Sequence, residues 1–301
     1  MSATLFVGYG SLLSARGLGP QLEQIRDAEL TWLRAPRQFG KPPQKGGRLA
    51  MEVVAERALL GARAGRAPDR TEGGCGALLL HVEREGEAKL VGREGYSPRC
   101  WAALRGAAGS QEIGEYLIEL AEGAGDDPLA FRAELWKRTG PPKSGVVHYL
   151  PHPVRLDDGR AALVFVAPDP GQTGDPELPS CKEAHPELRG VALDELYEVG
   201  PGSIPDWSSE KQTHYVELCL LGLAHGVYLG DLFAGLGLNA DHPAIQLLTR
   251  LSIQREVLLA EQRALRSAIP TLSSTGPGRL ASDLDEGWEL SGLSKWLNPP
   301  A

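Results

Sequence analysis

The chain has 301 residues, of which 31 are Lys or Arg and 39 are Asp or Glu, so its formal net charge is −8. This length suits one large domain or a domain with an appendage, and a hydrophobic fraction of 42% is typical of globular proteins and excludes disorder throughout. The acidic balance argues against a nucleic-acid partner, and no run approaches the roughly 18 apolar residues that a membrane span needs.

The first predicted element is a short apolar strand over residues 3–8. It leads into Tyr9-Gly10-Ser11-Leu12-Leu13, which predicts a tight turn because glycine brackets it. Residues 35–73 are rich in Gly, Pro and Arg, and they predict surface loops around one strand near Leu49–Val54. The first 13 residues therefore predict a strand that is followed directly by a tight turn.

A second buried strand is predicted over Gly76–Val82. The polar segment Glu85-Gly86-Glu87 predicts a turn, and Lys89-Leu90-Val91 predicts the returning strand of a hairpin. Apolar residues three and four positions apart then predict helices over 112–122 and 127–138.

The rest of the chain alternates strands, a loop and helices. Strands are predicted at 145–150, 154–156 and 161–166, with Asp157-Asp158-Gly159-Arg160 as a hairpin turn. Residues 167–189 predict a loop, and residues 208–224 and 242–268 predict amphipathic helices. Trp288 and Trp296 predict that the tail docks on the protein.

The sequence lacks complete forms of several common cofactor-binding and catalytic motifs. Gly8-Tyr9-Gly10 begins like a dinucleotide fingerprint, but Leu13 occupies the third glycine position. Gly140-Pro141-Pro142-Lys143-Ser144 lacks the spacing of a phosphate-binding loop, and no Gly-x-Ser-x-Gly elbow occurs. His148 and His152 are not on one helical face, so we expect no metal and no cofactor.

One constellation remains, formed by the Tyr9-Gly10-Ser11-Leu12 turn and by Leu90-Val91-Gly92-Arg93-Glu94-Gly95-Tyr96. Together they resemble the γ-glutamylcyclotransferase superfamily, over about residues 4–100. Leu30-Thr31-Trp32-Leu33-Arg34 is similar to that family's Trp/Arg segment, and Gly74–Val82 is similar to its glycine-containing strand.

The resemblance implies an α+β fold built on a small mixed β-barrel with flanking helices. It implies a catalytic domain over 1–235, with an insertion around 105–190, followed by a helical extension and tail over 236–301. The long C-terminal helix makes a homodimer a further expectation.

The resemblance also implies the site. Glu94 is the expected catalytic carboxyl, Tyr9, Gly10, Ser11 and Leu12 are expected to hold the substrate, and Tyr96 and Tyr215 are expected either to contact substrate or to pack in the core. Cyclisation of a γ-glutamyl amide or peptide gives 5-oxoproline and releases an amine or amino acid. One carboxyl can accept the α-ammonium proton and return it to the departing nitrogen. We expect burial to raise the pKa of Glu94 for this task.

Two alternatives stay open. The same fold could cyclise a γ-glutamylamine or a biosynthetic intermediate, and it could also be a non-catalytic binding or scaffold module. Glu94 has the alternative of a surface carboxylate that pairs with Arg93 or Arg99, and Tyr9 and Ser11 have the alternative of a turn that simply ends the strand. Arg99 is a candidate anchor for a substrate carboxylate, with a simple surface arginine as the alternative. The four cysteines are widely spaced, and the first residues lack the pattern of a secretory signal. We therefore expect reduced thiols and a cytoplasmic location.

Overall fold

The computed structural model describes residues 3–34, 46–54, 57–65, 74–94, 96–125, 128–140, 150–156, 158–167, 218, 221, 255–269 and 273–274. The strands are β1 (Thr4–Gly8), β2 (Ile25–Arg34), β3 (Gly46–Val54), β4 (Arg57–Gly65), β5 (Gly74–Val82), β6 (Leu150–Arg155), β7 (Ala161–Ala167) and β8 (Ser273–Ser274). The helices are α1 (Ala15–Leu18), α2 (Arg84–Arg93), α3 (Pro98–Ala108), α4 (Ile113–Gly123), α5 (Pro128–Thr139) and α6 (Arg255–Ala268). Two 3₁₀ helices, Gly10–Leu13 and Gly19–Gln24, lie on either side of α1.

Five strands in the order β6-β7-β1-β5-β2 form the core of a mixed eight-stranded sheet. Its central strand, β1, is antiparallel to β5 and parallel to β7. The β3-β4 hairpin joins this sheet where β4 runs parallel to the end of β7, and β8 runs parallel to β2. The turn that follows β1 therefore leaves from the middle of the sheet.

The α+β class is confirmed, but the expected barrel is wrong. Within the described residues the sheet is open, because β6 pairs only with β7 and β8 pairs only with β2. Closure requires the two outermost strands to pair along a staggered register. The outermost strand on one side, β8, comprises only Ser273–Ser274 in the part of the chain that the structure describes, and two residues are too few to close the sheet.

The central strands are buried on both faces. Leu78, Leu79 and Leu80 are consecutive residues of β5, and none is more than 1% exposed. Such continuous apolar runs belong to strands that are covered on both sides. On one side α3 provides the cover, where Trp101 packs on Phe6 with ring centroids 5.8 Å apart.

Residues 84–93 correct the predicted hairpin. They form helix α2, so Lys89-Leu90-Val91 is not a strand and Glu85-Gly86-Glu87 is not a turn. Gly86 lies in the first turn of α2, where an added Cβ would stand 2.3 Å from the Gln24 Cβ. This glycine therefore permits close packing of a helix, although the sequence pattern indicates a turn.

Other predicted elements are confirmed where the structure describes them. They are β1, β3, β5, α4, α5 and the hairpin turn before β7. The two strands predicted at 145–150 and 154–156 are a single strand, β6, over Leu150–Arg155, and residues 145–149 lie outside the described residues. Other elements are additional. Strand β4 lies where loops are predicted, and β2, α1, α3 and β8 have no counterpart among the predicted elements. Of the helix predicted over 208–224, only Leu218 and Leu221 are described, and both are helical. The 167–189 loop after residue 167, the first half of the 242–268 helix and both tail tryptophans lie outside the described residues.

The region 105–190, which the resemblance treats as an insertion, contributes two strands to the sheet. One of them, β7, lies directly beside β1. Among the described residues, none of the helices combines the length and apolarity that crossing a membrane would require.

Candidate functional site

The turn after β1 is a short 3₁₀ helix, Gly10–Leu13. The Leu12 N–H donates to the Tyr9 carbonyl oxygen over 3.1 Å, which closes the turn. Gly10 has a φ of +60°, a value that side-chain-bearing residues rarely adopt. The glycine therefore lets the chain reverse directly at the end of the central strand.

Tyr9 and Leu12 fasten this turn to the core. The Tyr9 hydroxyl donates to the Phe165 carbonyl oxygen of β7 over 2.6 Å, and the Tyr9 side chain is buried. Leu12 is also buried in the main apolar cluster. These contacts are structural, and the substrate contacts that the resemblance implies for Tyr9, Gly10 and Leu12 stay predictions.

Ser11 differs from its neighbours because it is only half-buried. Its hydroxyl oxygen accepts a hydrogen bond from Arg93 Nη2 over 3.1 Å. Of the four turn residues expected to hold substrate, Ser11 is the one whose side chain faces the segment that carries Glu94.

Glu94 lies at the C-terminal end of α2, where its N–H donates to the Leu90 carbonyl oxygen over 3.1 Å. The helix fixes the direction in which this carboxyl leaves the backbone. Arg93 Nη1 donates to Glu94 Oε1 over 2.9 Å, and the Glu94 side chain keeps 16% of its surface exposed. The carboxyl is thus mostly buried, but it is not sealed from solvent.

Arg93 joins the two predicted halves of the site. Its guanidinium contacts Ser11 through one terminal nitrogen and Glu94 through the other. The turn and the Glu94 carboxyl therefore both contact the Arg93 guanidinium, although Ser11 and Arg93 are 82 positions apart in the sequence. The sequence predicts that the turn and Glu94 lie together, and pairing of Glu94 with Arg93 was the alternative interpretation of this carboxyl; the structure shows both the proximity and the ion pair.

The electrostatics of Glu94 combine two opposing influences. Burial raises the pKa of the Glu94 carboxyl above its ordinary value of 4.5, because desolvation disfavours the charged form. The charge and the hydrogen bond of Arg93 act in the opposite direction, and burial is the larger effect. The pKa of Glu94 therefore moves in the direction expected of a group that takes up and returns a proton.

Tyr96 lies two residues beyond Glu94 and is buried, with its N–H donating to the Val91 carbonyl oxygen over 3.0 Å. Its hydroxyl makes no hydrogen bond within the described residues, and burial raises the pKa of Tyr96. This placement matches core packing, while contact with substrate stays a prediction. Tyr215 lies outside the described residues, and Arg99 is exposed on α3.

A second buried carboxylate, Glu87, was not predicted. It accepts hydrogen bonds from Thr4 Oγ1 over 2.6 Å, from Trp101 Nε1 over 3.0 Å and from Arg105 Nε over 2.8 Å. Its side chain is only 2% exposed, so these donors satisfy it inside the protein. Glu87 is therefore a structural carboxylate, and Glu94 is the one that retains access.

A separate cavity of about 550 Å³ opens where β1 begins, at the opposite end from the turn. Arginines line it, but carboxylates hold two of them: Arg160 forms a two-point contact with Glu29, and Arg105 pairs with Glu87. His81 also contacts Glu29, over 2.8 Å. Because Glu29 and Glu87 neutralise Arg160 and Arg105, this cavity is a weaker candidate for the functional site than the region around Glu94. Its lining is scattered along the chain, and the sequence carries no signal for it.

No group of three or more His, Cys, Asp or Glu suited to a metal ion occurs among the residues described. Comparison with known proteins returns no matching family model, no matching curated protein and no matching solved structure. The residues that bear on function are therefore Glu94, Arg93 and Ser11, with the chemistry that their arrangement permits.

Proposed function

We propose that this chain is a γ-glutamylcyclotransferase-like enzyme that cyclises a γ-glutamyl amide or peptide to 5-oxoproline and releases an amine or amino acid. Glu94 is its general acid and base. The observation that carries the proposal is the placement of a partly accessible carboxyl of raised pKa beside the turn that follows the central strand.

The reaction needs one proton carrier. The Glu94 carboxylate accepts a proton from the α-ammonium of the substrate, and the resulting amine attacks the γ-carbonyl carbon. A new C–N bond closes the five-membered ring, and the original amide C–N bond breaks. The departing nitrogen takes this proton from Glu94 as its bond breaks. The ring nitrogen then gives its remaining surplus proton to the regenerated carboxylate, which passes it to the released amine, so the products are a neutral lactam and an ammonium group. A carboxyl with a raised pKa suits both transfers.

Ring closure also benefits from orientation. Because both reacting groups belong to one molecule, the protein has only to select the folded conformer, and well-oriented closure contributes up to roughly 7–11 kcal/mol. A turn fixed by the Tyr9–Phe165 hydrogen bond offers a rigid wall for that selection. The chemistry requires no metal and no organic cofactor.

The test is a 5-oxoproline assay on the purified full chain with glutathione, γ-glutamyl dipeptides and γ-glutamyl-lysine. We expect product from at least one of them, and we expect Glu94→Gln to lower turnover by about 10²–10⁴-fold, the usual contribution of general acid–base catalysis. Glu85→Gln, an exposed acid on the same helix, is the matched control and should retain full activity. Product from γ-glutamyl-lysine alone would favour the γ-glutamylamine reaction.

Two results would contradict the proposal. Full activity of Glu94→Gln would exclude this carboxyl as the proton carrier. Absence of product from every substrate, with a folded protein, would favour the non-catalytic module.

We propose a cytoplasmic location as well. Support comes from the wide spacing of the four cysteines and from Cys100, which is a free thiol. Alkylation of the protein in intact cells, without reductant, should modify every cysteine, and protection of a pair by a disulfide would contradict this location.

A further inference from the structure

We propose that the Arg93–Glu94 ion pair opens to receive the amino-acid end of the substrate, with the α-carboxylate binding Arg93 and the α-ammonium binding Glu94. This inference rests on the function proposed above. It makes Arg93 the specificity-determining residue, the one that selects for the α-carboxylate of the substrate.

The guanidinium of Arg93 is only partly used by its present partners. Nη1 contacts a single oxygen of Glu94, and Nη2 contacts the neutral Ser11 hydroxyl over 3.1 Å. A guanidinium has five donors in a planar fork that matches both oxygens of a carboxylate. An arriving carboxylate can therefore make a two-point contact where Glu94 makes a one-point contact.

Access to this pair distinguishes it from the structural ion pair nearby. Arg93 and Glu94 keep 21% and 16% of their side-chain surfaces exposed, whereas Glu87 keeps 2%. Three donor residues hold Glu87, but Arg93 is the one side-chain partner that the described residues give Glu94. Exchange of partners is therefore much easier at Glu94 than at Glu87.

The exchange preserves the balance of charge. Before binding, one cation faces one anion. After binding, the substrate carboxylate faces Arg93 and the substrate ammonium faces Glu94, so no charge is left unpaired in a partly buried site. Because the two charged groups of the substrate are attached to the same carbon atom, anchoring the carboxylate at residue 93 brings the ammonium to residue 94. A general base must be within hydrogen-bond reach of the proton it removes, and this arrangement provides that reach.

The test uses a matched pair of small molecules: 5-oxoproline, which carries the carboxylate, and 2-pyrrolidinone, which is the same ring without it. Binding is measured by calorimetry on the full chain at neutral pH. We expect the wild type to bind 5-oxoproline roughly tenfold more tightly than 2-pyrrolidinone, a typical gain for a charged hydrogen-bonded contact. Arg93→Gln should abolish this preference, and Arg93→Lys should retain part of it because lysine supplies the charge without the fork.

Glu94→Gln supplies a readout that a merely structural role of Arg93 would not move. Because Glu94 competes with the ligand carboxylate for Arg93, removing its charge should tighten 5-oxoproline binding about threefold or more while leaving 2-pyrrolidinone unchanged. Thermal unfolding of each variant checks that it is folded. If Arg93→Gln does not fold, Arg93→Lys and Glu94→Gln still test the exchange.

Three outcomes would overturn the inference: equal binding of the two rings by both the wild type and Glu94→Gln, an undiminished preference in Arg93→Gln, or no tightening in Glu94→Gln. Its failure is distinguishable from failure of the proposed function. Turnover that depends on Glu94, combined with a preference that does not depend on Arg93, overturns the anchor alone. A preference that depends on Arg93, without turnover of any substrate, overturns the catalysis alone.

Discussion

The backbone N–H of Arg16 donates a hydrogen bond to the Glu261 carboxylate over 3.1 Å, although the two residues are 245 positions apart. Arg16 lies in the first turn of α1, directly after the Tyr9–Leu13 turn, and Glu261 is a buried residue of α6. An acid at a helix N-terminus is stabilising because it accepts from N–H groups that have no partner within the helix. Helix α6 therefore supports α1, the helix that follows the turn.

This contact predicts the effect of Glu261→Gln. The variant should lower the free energy of unfolding by about 1–3 kcal/mol, the range for weakening a buried charged hydrogen bond. Urea unfolding measures the change. Arg263→Gln, at an exposed position of the same helix, should change it by less than about 0.5 kcal/mol. Equal stability of the two variants would show that α6 does not support α1.

The network around Glu87 predicts a larger effect. Glu87→Gln removes the charge that faces Arg105 and places an amide against the donors of Thr4 and Trp101. Breaking a buried ion pair costs about 3–5 kcal/mol, so we expect a loss of this size in urea unfolding. Glu85→Gln serves as the exposed control, and a loss no larger than that of the control would contradict the structural role of Glu87.

A pair of glycine variants tests the packing of α1 on the turn. An added Cβ at Gly17 would lie 1.6 Å from the Ser11 carbonyl oxygen, so Gly17→Ala forces α1 away from the turn. We expect a loss of about 1–3 kcal/mol in stability. Gly106→Ala on α3 meets no atom within 4 Å and should instead stabilise by up to about 1 kcal/mol. Effects of the same sign in the two variants would contradict this packing.

The raised pKa of Glu94 predicts a dependence of stability on pH. Because burial lets the folded state hold this proton more tightly than the unfolded state, the folded protein binds more protons above pH 4.5. The free energy of unfolding attributable to Glu94 should therefore fall as pH rises from 4.5 through the folded pKa. Urea unfolding at a series of pH values should show a smaller decline in Glu94→Gln than in the wild type. An unchanged decline would place the pKa of Glu94 at its ordinary value.

Local sequence patterns predict those helices and strands whose apolar residues recur with the period of one type of secondary structure. The apolar run of β5 and the spaced apolar residues of α4 and α5 predict their elements because each pattern matches one period of secondary structure. Helix α3 also has a local start signal in the sequence, since Ser97 followed by Pro98 is typical of a helix N-terminus.

Other features depend on contacts that no local pattern encodes. Gly86 indicates a turn in the sequence, but it permits α2 to pack on Gln24. The candidate site shows the same division. The two motifs predict that Glu94 and Ser11 lie in the same site, and the expected burial of Glu94 predicts that its pKa is raised. The position of Arg93 between them depends on the helix that replaces the predicted hairpin.

The central position of β1 has a consequence for biosynthesis. A ribosome makes β1 long before β7, and the hydrogen bond from Tyr9 to Phe165 spans 156 positions. Contacts of such separation close slowly and late. The nascent chain therefore carries an apolar strand with an unpaired edge until β7 has emerged, which is the kind of segment that chaperones bind.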